Sequence, residues 1–185
     1  MAKKQHEQIV FRSVEDADIA EIHRRQNGDS CAELYEILDN KPCWSPLALA
    51  QIKEKISEKL KKPHTAVFSL YCGDEFIGLG EWSASWDTWS PHSWFMIWPE
   101  FRRMGYGTEV ARRLLDKTFL ENPGHEATAG IPDWNHAATS FLQSLGFEPI
   151  GKMRRIDMIE GQYHDLLFFD LLKSEYLQGE KGAVR

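Results

Sequence analysis

The sequence predicts an α/β (α+β) chain in which a mixed sheet carries helices on both faces. Three observations predict it. An alternating apolar run opens the chain, helical stretches follow it, and strand-like runs then pair back as a hairpin. From residue 93 onward, strand-like and helical segments alternate and close on two more strands. With 185 residues, 42% of them hydrophobic and 12% aromatic, the chain suits one compact domain with a sizeable core.

The elements follow in order. Residues 8–14 alternate, with Ile9, Phe11 and Ser13 on one side, and read as the first strand. Residues 16–25 place acids early and bases late, which suits a helix dipole. Asn27 to Ser30 ends that helix, and residues 32–38 read as a second, short one. Ser45 can cap a third, with Pro46 in its first position, running to about residue 62. Leu49, Ile52, Ile56 and Leu60 share one face of it, and Lys53, Lys55, Lys59, Lys61 and Lys62 read as its solvated face. Residues 65–72 and 76–82 form a hairpin around the turn Cys72-Gly-Asp-Glu75. Residues 83–91 extend the strand or form a loop. A strand at 93–98 precedes a helix at 108–120, which Asn122-Pro-Gly124 stops. A strand at 126–131 leads to a helix at 136–145, closed by Gly146. Strands at 147–159 and 163–172 are joined by Glu160-Gly161, and the polar residues 174–185 read as frayed. The organisation is a flexible 1–7, a domain at 8–176 and a flexible tail at 177–185, without internal repeats.

Net charge and cysteine usage narrow the function. A formal charge of −6 argues against non-specific nucleic-acid binding and favours a cationic substrate such as an amine. No apolar run spans a bilayer, and no secretory signal opens the chain, so a cytoplasmic location without a membrane partner is expected. Cys31, Cys43 and Cys72 suggest neither a disulfide framework nor a zinc site, and read as free thiols. His64, His125, His136 and His164 show no metal-ligand spacing and read as structural; no metal is expected.

The chemistry concentrates between the 93–98 strand and the helix after it. Arg102-Arg-Met-Gly105-Tyr-Gly107 puts two arginines and two glycines at a helix start. Unpaired amides there, with the helix dipole behind them, favour an anion, and guanidinium forks suit phosphate. The plain alternative is a tight strand-to-helix turn with solvated arginines.

The spacing Arg102-x-x-Gly105-x-Gly107 resembles the acetyl-CoA signature of the GNAT superfamily of N-acetyltransferases. A second signature of that family appears downstream as Asn135-His-Ala-Ala138-Thr-Ser-Phe141, then Gly146-Phe147. The resemblance covers residues 8–176, and the ending Gly161-Gln-Tyr163-His-Asp165 is similar to the ribosomal-protein N-terminal and spermidine acetyltransferase branch. It implies a single domain with a mostly antiparallel mixed sheet, acetyl-CoA as co-substrate, and a homodimer, since family members often dimerise. It implies that the backbone of Met96, Ile97 and Trp98 pairs with the pantetheine arm. Arg102, Arg103, Met104, Gly105, Tyr106, Gly107 and Thr108 would then surround the pyrophosphate. Asn135 would contact the arm near the thioester, with Ala138 and Phe141 beside it. Asn135 also suits a helix N-cap, and Ala138 and Phe141 suit helix core. Where many members carry a tyrosine that protonates the leaving thiolate, this chain has Leu142; Thr139, Ser140 and Ser144 are substitutes, as is a bound water.

The reaction this implies moves an acetyl group to a primary amine: a protein N-terminus, a polyamine or another small amine. A base or water chain must take a proton from the amine. The candidate bases are Glu81, among aromatic residues, and His92, at the start of the motif strand. Asp87, between Trp86 and Trp89, could serve as a base or recognise a cation, and those tryptophans could line an acceptor groove. Each has a plainer reading: Glu81 as a cross-strand ion partner, His92 as an exposed turn residue, Asp87 as a turn acid, the tryptophans as packing. Cys72 as a nucleophile lacks an assignable partner. A non-catalytic acyl-CoA-binding domain on the same fold is the alternative function. The glycine loop lacks the Gly-Lys-Ser/Thr ending of a nucleotide-binding P-loop.

Overall fold

The computed structural model describes residues 8–26, 49–84, 89–159 and 161–183. The expected helix at 32–38, the caps Ser45 and Pro46, Trp44, Cys31, Cys43, Trp86 and Asp87 lie outside them. The chain falls into two compact units, one of 1–85 with 93–110, the other of 86–92 with 111–185.

The first unit is built on a four-stranded sheet in the order β1-β2-β3-β4: Ile9–Ser13, Thr65–Cys72, Glu75–Ser83 and His92–Ile97. β1 and β2 pair antiparallel, as do β2 and β3, with Val67 opposite Glu81 and Ser69 opposite Leu79. Because side chains alternate across a strand, one face carries Val67, Ser69 and Tyr71 with their partners. That face meets two helices, α1 (Asp16–Gln26) and α2 (Leu49–Leu60). Ile19, Ile22, Ile52, Ile56, Val67, Leu79 and Trp98 form one buried cluster there. Ile52 and Ile56 fulfil the expected face of α2, whereas Leu49 and Leu60 at its ends are exposed. The lysine run is only partly solvated: Lys59 reaches Glu81 at 2.6 Å, and Lys53 pairs with Asp16 at 2.6 Å.

Asp18 ties α1 to the sheet. It is 3% exposed, and its Oδ2 accepts from the Glu15 amide at 2.9 Å and the Ser69 hydroxyl at 2.7 Å, while Oδ1 accepts from Tyr71. The bond to Glu15 is the return half of a capping box, which satisfies an orphan amide of the first turn. Burial, then the hydrogen bond to Asp18 and its negative charge, push the Tyr71 phenol up to about 12. An unfolded tyrosine ionises near ~10. The folded state therefore holds this proton more tightly, so its stabilisation is complete below the unfolded value and drains away as pH rises toward the folded one. Urea melts of the parent and Tyr71→Phe across that alkaline window should show the steeper loss in the parent. Equal slopes would remove Tyr71 from the account.

The second unit holds a three-stranded antiparallel sheet in the order β5-β7-β6: Glu126–Pro132, Gln162–Leu172 and Glu148–Ile159. α3 (Tyr106–Phe119) starts in the first unit and enters this one at Ala111. Leu115 and Phe119 from it join Ala127, Phe147, Phe169, Leu171 and Tyr176 in a second buried cluster. α4 (His136–Ser144) ends as expected at Gly146. The Phe147 amide donates to Leu142 at 3.1 Å and the Gly146 amide to Gln143 at 3.1 Å, the paired bonds of a Schellman stop.

The polar C-terminal end corrects the expectation of a frayed tail: Lys173–Ala183 is a helix, α5. Tyr176 anchors it, with its ring 5.2 Å from Phe119 and its hydroxyl donating to Asp116 at 2.8 Å. Glu175 accepts the Leu172 amide at 2.9 Å and so caps the first turn. Composition alone hid one aromatic anchor in a polar run.

No helix among the described residues is long and apolar enough to cross a membrane. Among the same residues, no group of three His, Cys, Asp or Glu side chains could hold a metal ion.

Candidate active site

β4 ends at Ile97, and Trp98, 1% exposed, fixes the exit of the chain in the first core. A single 3-10 turn, Pro99–Phe101, follows, with Phe101 donating to Trp98 at 2.9 Å and Arg102 to Pro99 at 3.2 Å. Arg103 (φ 63°) and Gly105 (φ 89°) then take left-handed conformations. A Cβ on Gly105 would meet nothing within 4 Å, so the glycine is there for its backbone freedom and not for space. The chain enters α3 at Tyr106, two residues before the expected Thr108, and Glu109 makes the first helical bond to the Gly105 carbonyl at 3.2 Å. Helix geometry leaves the amides of Tyr106, Gly107 and Thr108 without intrahelical acceptors. They form the positive end of a helix of 14 residues. Arg102, Arg103 and Met104 are exposed beside them. Arg102 also folds back, its Nε donating to the Ile97 carbonyl at 2.9 Å. The arrangement suits a pyrophosphate, with backbone donors at the helix start and guanidinium charge at the rim.

The three residues expected to pair with a pantetheine arm are not equivalent. The Trp98 amide donates to the Ile77 carbonyl at 2.9 Å and so faces β3. The Met96 carbonyl also faces β3, since a Cβ on Gly78 would lie 2.1 Å from it. Backbone groups alternate along a strand, so Ile97 faces the opposite way, toward the side where β4 has no further strand in its own sheet. Of the three, Ile97 alternates away from β3, and its carbonyl accepts from Arg102, while Trp98 contributes packing.

A residue that sequence reading missed braces this loop. Arg25, at the end of α1, lies 4.7 Å above the Trp98 ring and donates to Glu100 at 2.7 Å and Glu21 at 2.6 Å. Its guanidinium holds Glu100 below the usual carboxylate range. Burial would favour the neutral form of Arg25, but hydrogen bonds and charge from Glu100 and Glu21 outweigh it and raise its pKa. Nothing in the local sequence joins residues 75 positions apart.

Among the candidate bases, Glu81 is 7% exposed and meets Lys59 at 2.6 Å and the Trp94 indole at 3.2 Å, both on Oε2. It has an ion partner, on α2 and not on a neighbouring strand. A proton taken from an acceptor would go to Oε1. His92 is exposed at the start of β4. The Cys72 thiol is buried and donates to the Tyr106 hydroxyl at 3.4 Å.

In the second unit, Asn135 caps α4, its side chain accepting from the Ala138 amide at 3.1 Å. Ala138 and Phe141 are half-buried on the same helix. Leu142 packs against the second core, which explains an apolar side chain there. Ser144 donates to the Phe141 carbonyl at 2.6 Å, Ser140 is exposed, and the Thr139 hydroxyl is buried with no partner among the described residues. Trp89 is 60% exposed, its ring 6.4 Å from His125. His164, read as structural from sequence, is paired with Asp133 at 2.8 Å. The first unit thus carries Ile97, the loop and Glu81, and the second carries Asn135, Ala138, Phe141 and the His164 pair.

Residues 8–148 match the family described as Acetyltransferase (GNAT) domain. The chain is 21% identical over 135 residues to the SPbeta prophage-derived uncharacterized N-acetyltransferase YokL of Bacillus subtilis, covering 71% of this chain and 75% of that one. Among solved structures, the spermidine N-acetyltransferase of Vibrio cholerae in complex with CoA and spermine aligns with a TM-score of 0.76 at 22% identity, over 92% of this chain and 98% of that one. A chimera of Vibrio cholerae SpeG and hSSAT aligns with a TM-score of 0.75 at 21% identity, over 92% and 98%. The shared fold and the match over residues 8–148 agree with the helix-start loop and the Asn135 cap: the chain belongs to the GNAT acetyltransferase family, and acetyl-CoA is its co-substrate.

Proposed function

We propose that the chain moves the acetyl group of acetyl-CoA to a primary amine by direct attack in a ternary complex, with a polyamine as the leading acceptor. One observation carries the donor side: the amides of Tyr106, Gly107 and Thr108 head α3, with Arg102 and Arg103 exposed beside them. The amine's lone pair forms the C–N bond at the thioester carbonyl while the C–S bond breaks and the thiolate leaves. The Ile97 amide is the backbone donor suited to the carbonyl oxygen as charge develops on it. The acceptor class is supported by the net charge of −6 and by fold similarity to a spermidine N-acetyltransferase. A peptide N-terminus and other small amines are the competing acceptors.

The test is release of free thiol from acetyl-CoA over a panel of spermidine, spermine, amino acids, aminoglycosides and peptides with free N-termini, beside calorimetry with acetyl-CoA. The expected result is binding, with thiol release fastest for a polyamine. Binding without release against any amine would favour the non-catalytic acyl-CoA-binding alternative, and no binding by folded protein would end the reading. Glu81→Gln and His92→Ala belong in the same screen: a base contributes about 10²–10⁴-fold, so full activity in both removes them from that role.

A further inference from the structure

We propose that Arg102 makes the site selective for a phosphorylated acyl carrier: its guanidinium occupies the Ile97 carbonyl until a diphosphate draws it into the loop. The proposal rests on the acetyl-CoA reading above and gives one residue the task of telling acetyl-CoA from a thioester that lacks phosphate.

The direction of the Ile97 carbonyl follows from its own peptide group. The Trp98 amide donates to the Ile77 carbonyl on β3 at 2.9 Å. The C=O and N–H of one planar trans peptide point opposite ways, and no peptide bond among the described residues is cis. The Ile97 carbonyl therefore points off β3, to the edge of the four-stranded sheet where β4 has no neighbouring strand. An acceptor on a sheet edge suits an extended partner that carries amide donors. Arg102 takes that acceptor, its Nε donating at 2.9 Å.

Arg102 belongs to the strand edge and to the loop at once. Its backbone closes the 3-10 turn, with its amide on the Pro99 carbonyl at 3.2 Å, and is then extended at φ −71° and ψ 160°. The turn doubles the chain back, which lets the side chain reach a carbonyl five residues earlier. Just beyond it lie Gly105 and the donor amides that head α3. Arg25 braces the turn through Glu100 at 2.7 Å, so the backbone of Arg102 stays in place when its side chain moves. That side chain belongs to an exposed residue, and it can swing without disturbing the core.

Two acceptors compete for one guanidinium. The Ile97 carbonyl is neutral, whereas a diphosphate offers charged oxygens that take a guanidinium fork two bonds at a time, and such bonds are roughly twice as strong. A diphosphate at the start of α3 therefore wins Arg102 and releases the carbonyl. The released carbonyl can then accept an amide N–H of the pantetheine arm. A thioester without phosphate has to displace Arg102 unaided. Binding at either end of the carrier favours binding at the other, and by the same factor. Arg103, exposed beside Arg102, adds charge to the loop and serves as the control.

The test titrates CoA, by calorimetry, and S-acetylpantetheine, by NMR, into the parent, Arg102→Met and Arg103→Met. Arg102→Met should bind S-acetylpantetheine about 3–10-fold more tightly than the parent, the net worth of one hydrogen bond, and CoA more weakly. Inorganic pyrophosphate should tighten S-acetylpantetheine binding to the parent over the same range and leave Arg102→Met unmoved. Arg103→Met should weaken CoA and keep S-acetylpantetheine within twofold of the parent. An Arg102 that only braces the loop would weaken both probes when replaced, and that result overturns the proposal. So does pyrophosphate that leaves the parent's affinity for S-acetylpantetheine unchanged. If Arg102→Met fails to fold, the pyrophosphate titration of the parent decides alone. A folded parent that does not bind CoA sinks the acetyl-CoA reading, whereas a parent that binds CoA without this coupling sinks the Arg102 assignment alone.

Discussion

Gly78→Ala is expected to yield a chain that melts well below the parent and binds acetyl-CoA poorly. A Cβ at this position would stand 2.1 Å from the Met96 carbonyl oxygen, 3.1 Å from its carbon and 3.2 Å from the Ile97 Cα. All three are backbone atoms, so no rotamer change relieves the overlap, and β4 must move away from β3. Overpacking that side chains can absorb costs about 1–3 kcal/mol, and a clash borne by backbone alone belongs at or above the top of that range. For a chain of this size each kcal/mol lowers the melting temperature by about 2–4 °C. The functional loss has a separate cause. Displacing Met96 breaks the bond from Trp98 to Ile77, and with it the alternation that turns the Ile97 amide outward. Thermal melts and acetyl-CoA calorimetry check both effects, and parent-like values in both would show that β4 accommodates the methyl group.

Asp18→Ala is the second large effect, and it acts on stability. The substitution strands the Ser69 and Tyr71 hydroxyls and the Glu15 amide around a buried gap. Each stranded donor costs about 1–3 kcal/mol, so a loss of about 3 kcal/mol or more is expected. Asp18→Asn should fall between parent and Ala, since its amide keeps one acceptor but turns a donor toward one of the existing donors. Urea unfolding measures the difference, and a cost under about 1 kcal/mol would mean that water replaces the lost bonds.

Local sequence made much of this legible. Alternation marked β1, and the apolar face of α2 announced Ile52 and Ile56 as core. The Gly105 turn and the Gly146 stop could be read because each depends on a glycine's backbone within a few residues. What stayed hidden depends on residues far apart in the chain. Lys59 meets Glu81 across 22 positions, Asp18 meets Ser69 across 51, and Asp133 meets His164 across 31. A histidine is unremarkable until the fold delivers its carboxylate. The direction of the Trp98 amide was hidden for another reason: it follows from the register of β4, which one strand's sequence does not set.

Trp98 has a consequence for the thermodynamics of ligand capture. The loop leaves the core at a fully enclosed indole and is followed on α3 by Val110, 0% exposed, so both of its ends are set in close-packed surroundings. Arg25 grips the first turn in between through Glu100. A segment so tethered loses its backbone freedom when the chain folds, not when a ligand arrives. Association then costs little ordering entropy at this loop, and the donor amides need not be gathered by the anion they receive. Calorimetry of CoA binding should accordingly show a smaller entropic penalty in the parent than in Arg25→Ala, with the phosphate contacts themselves intact.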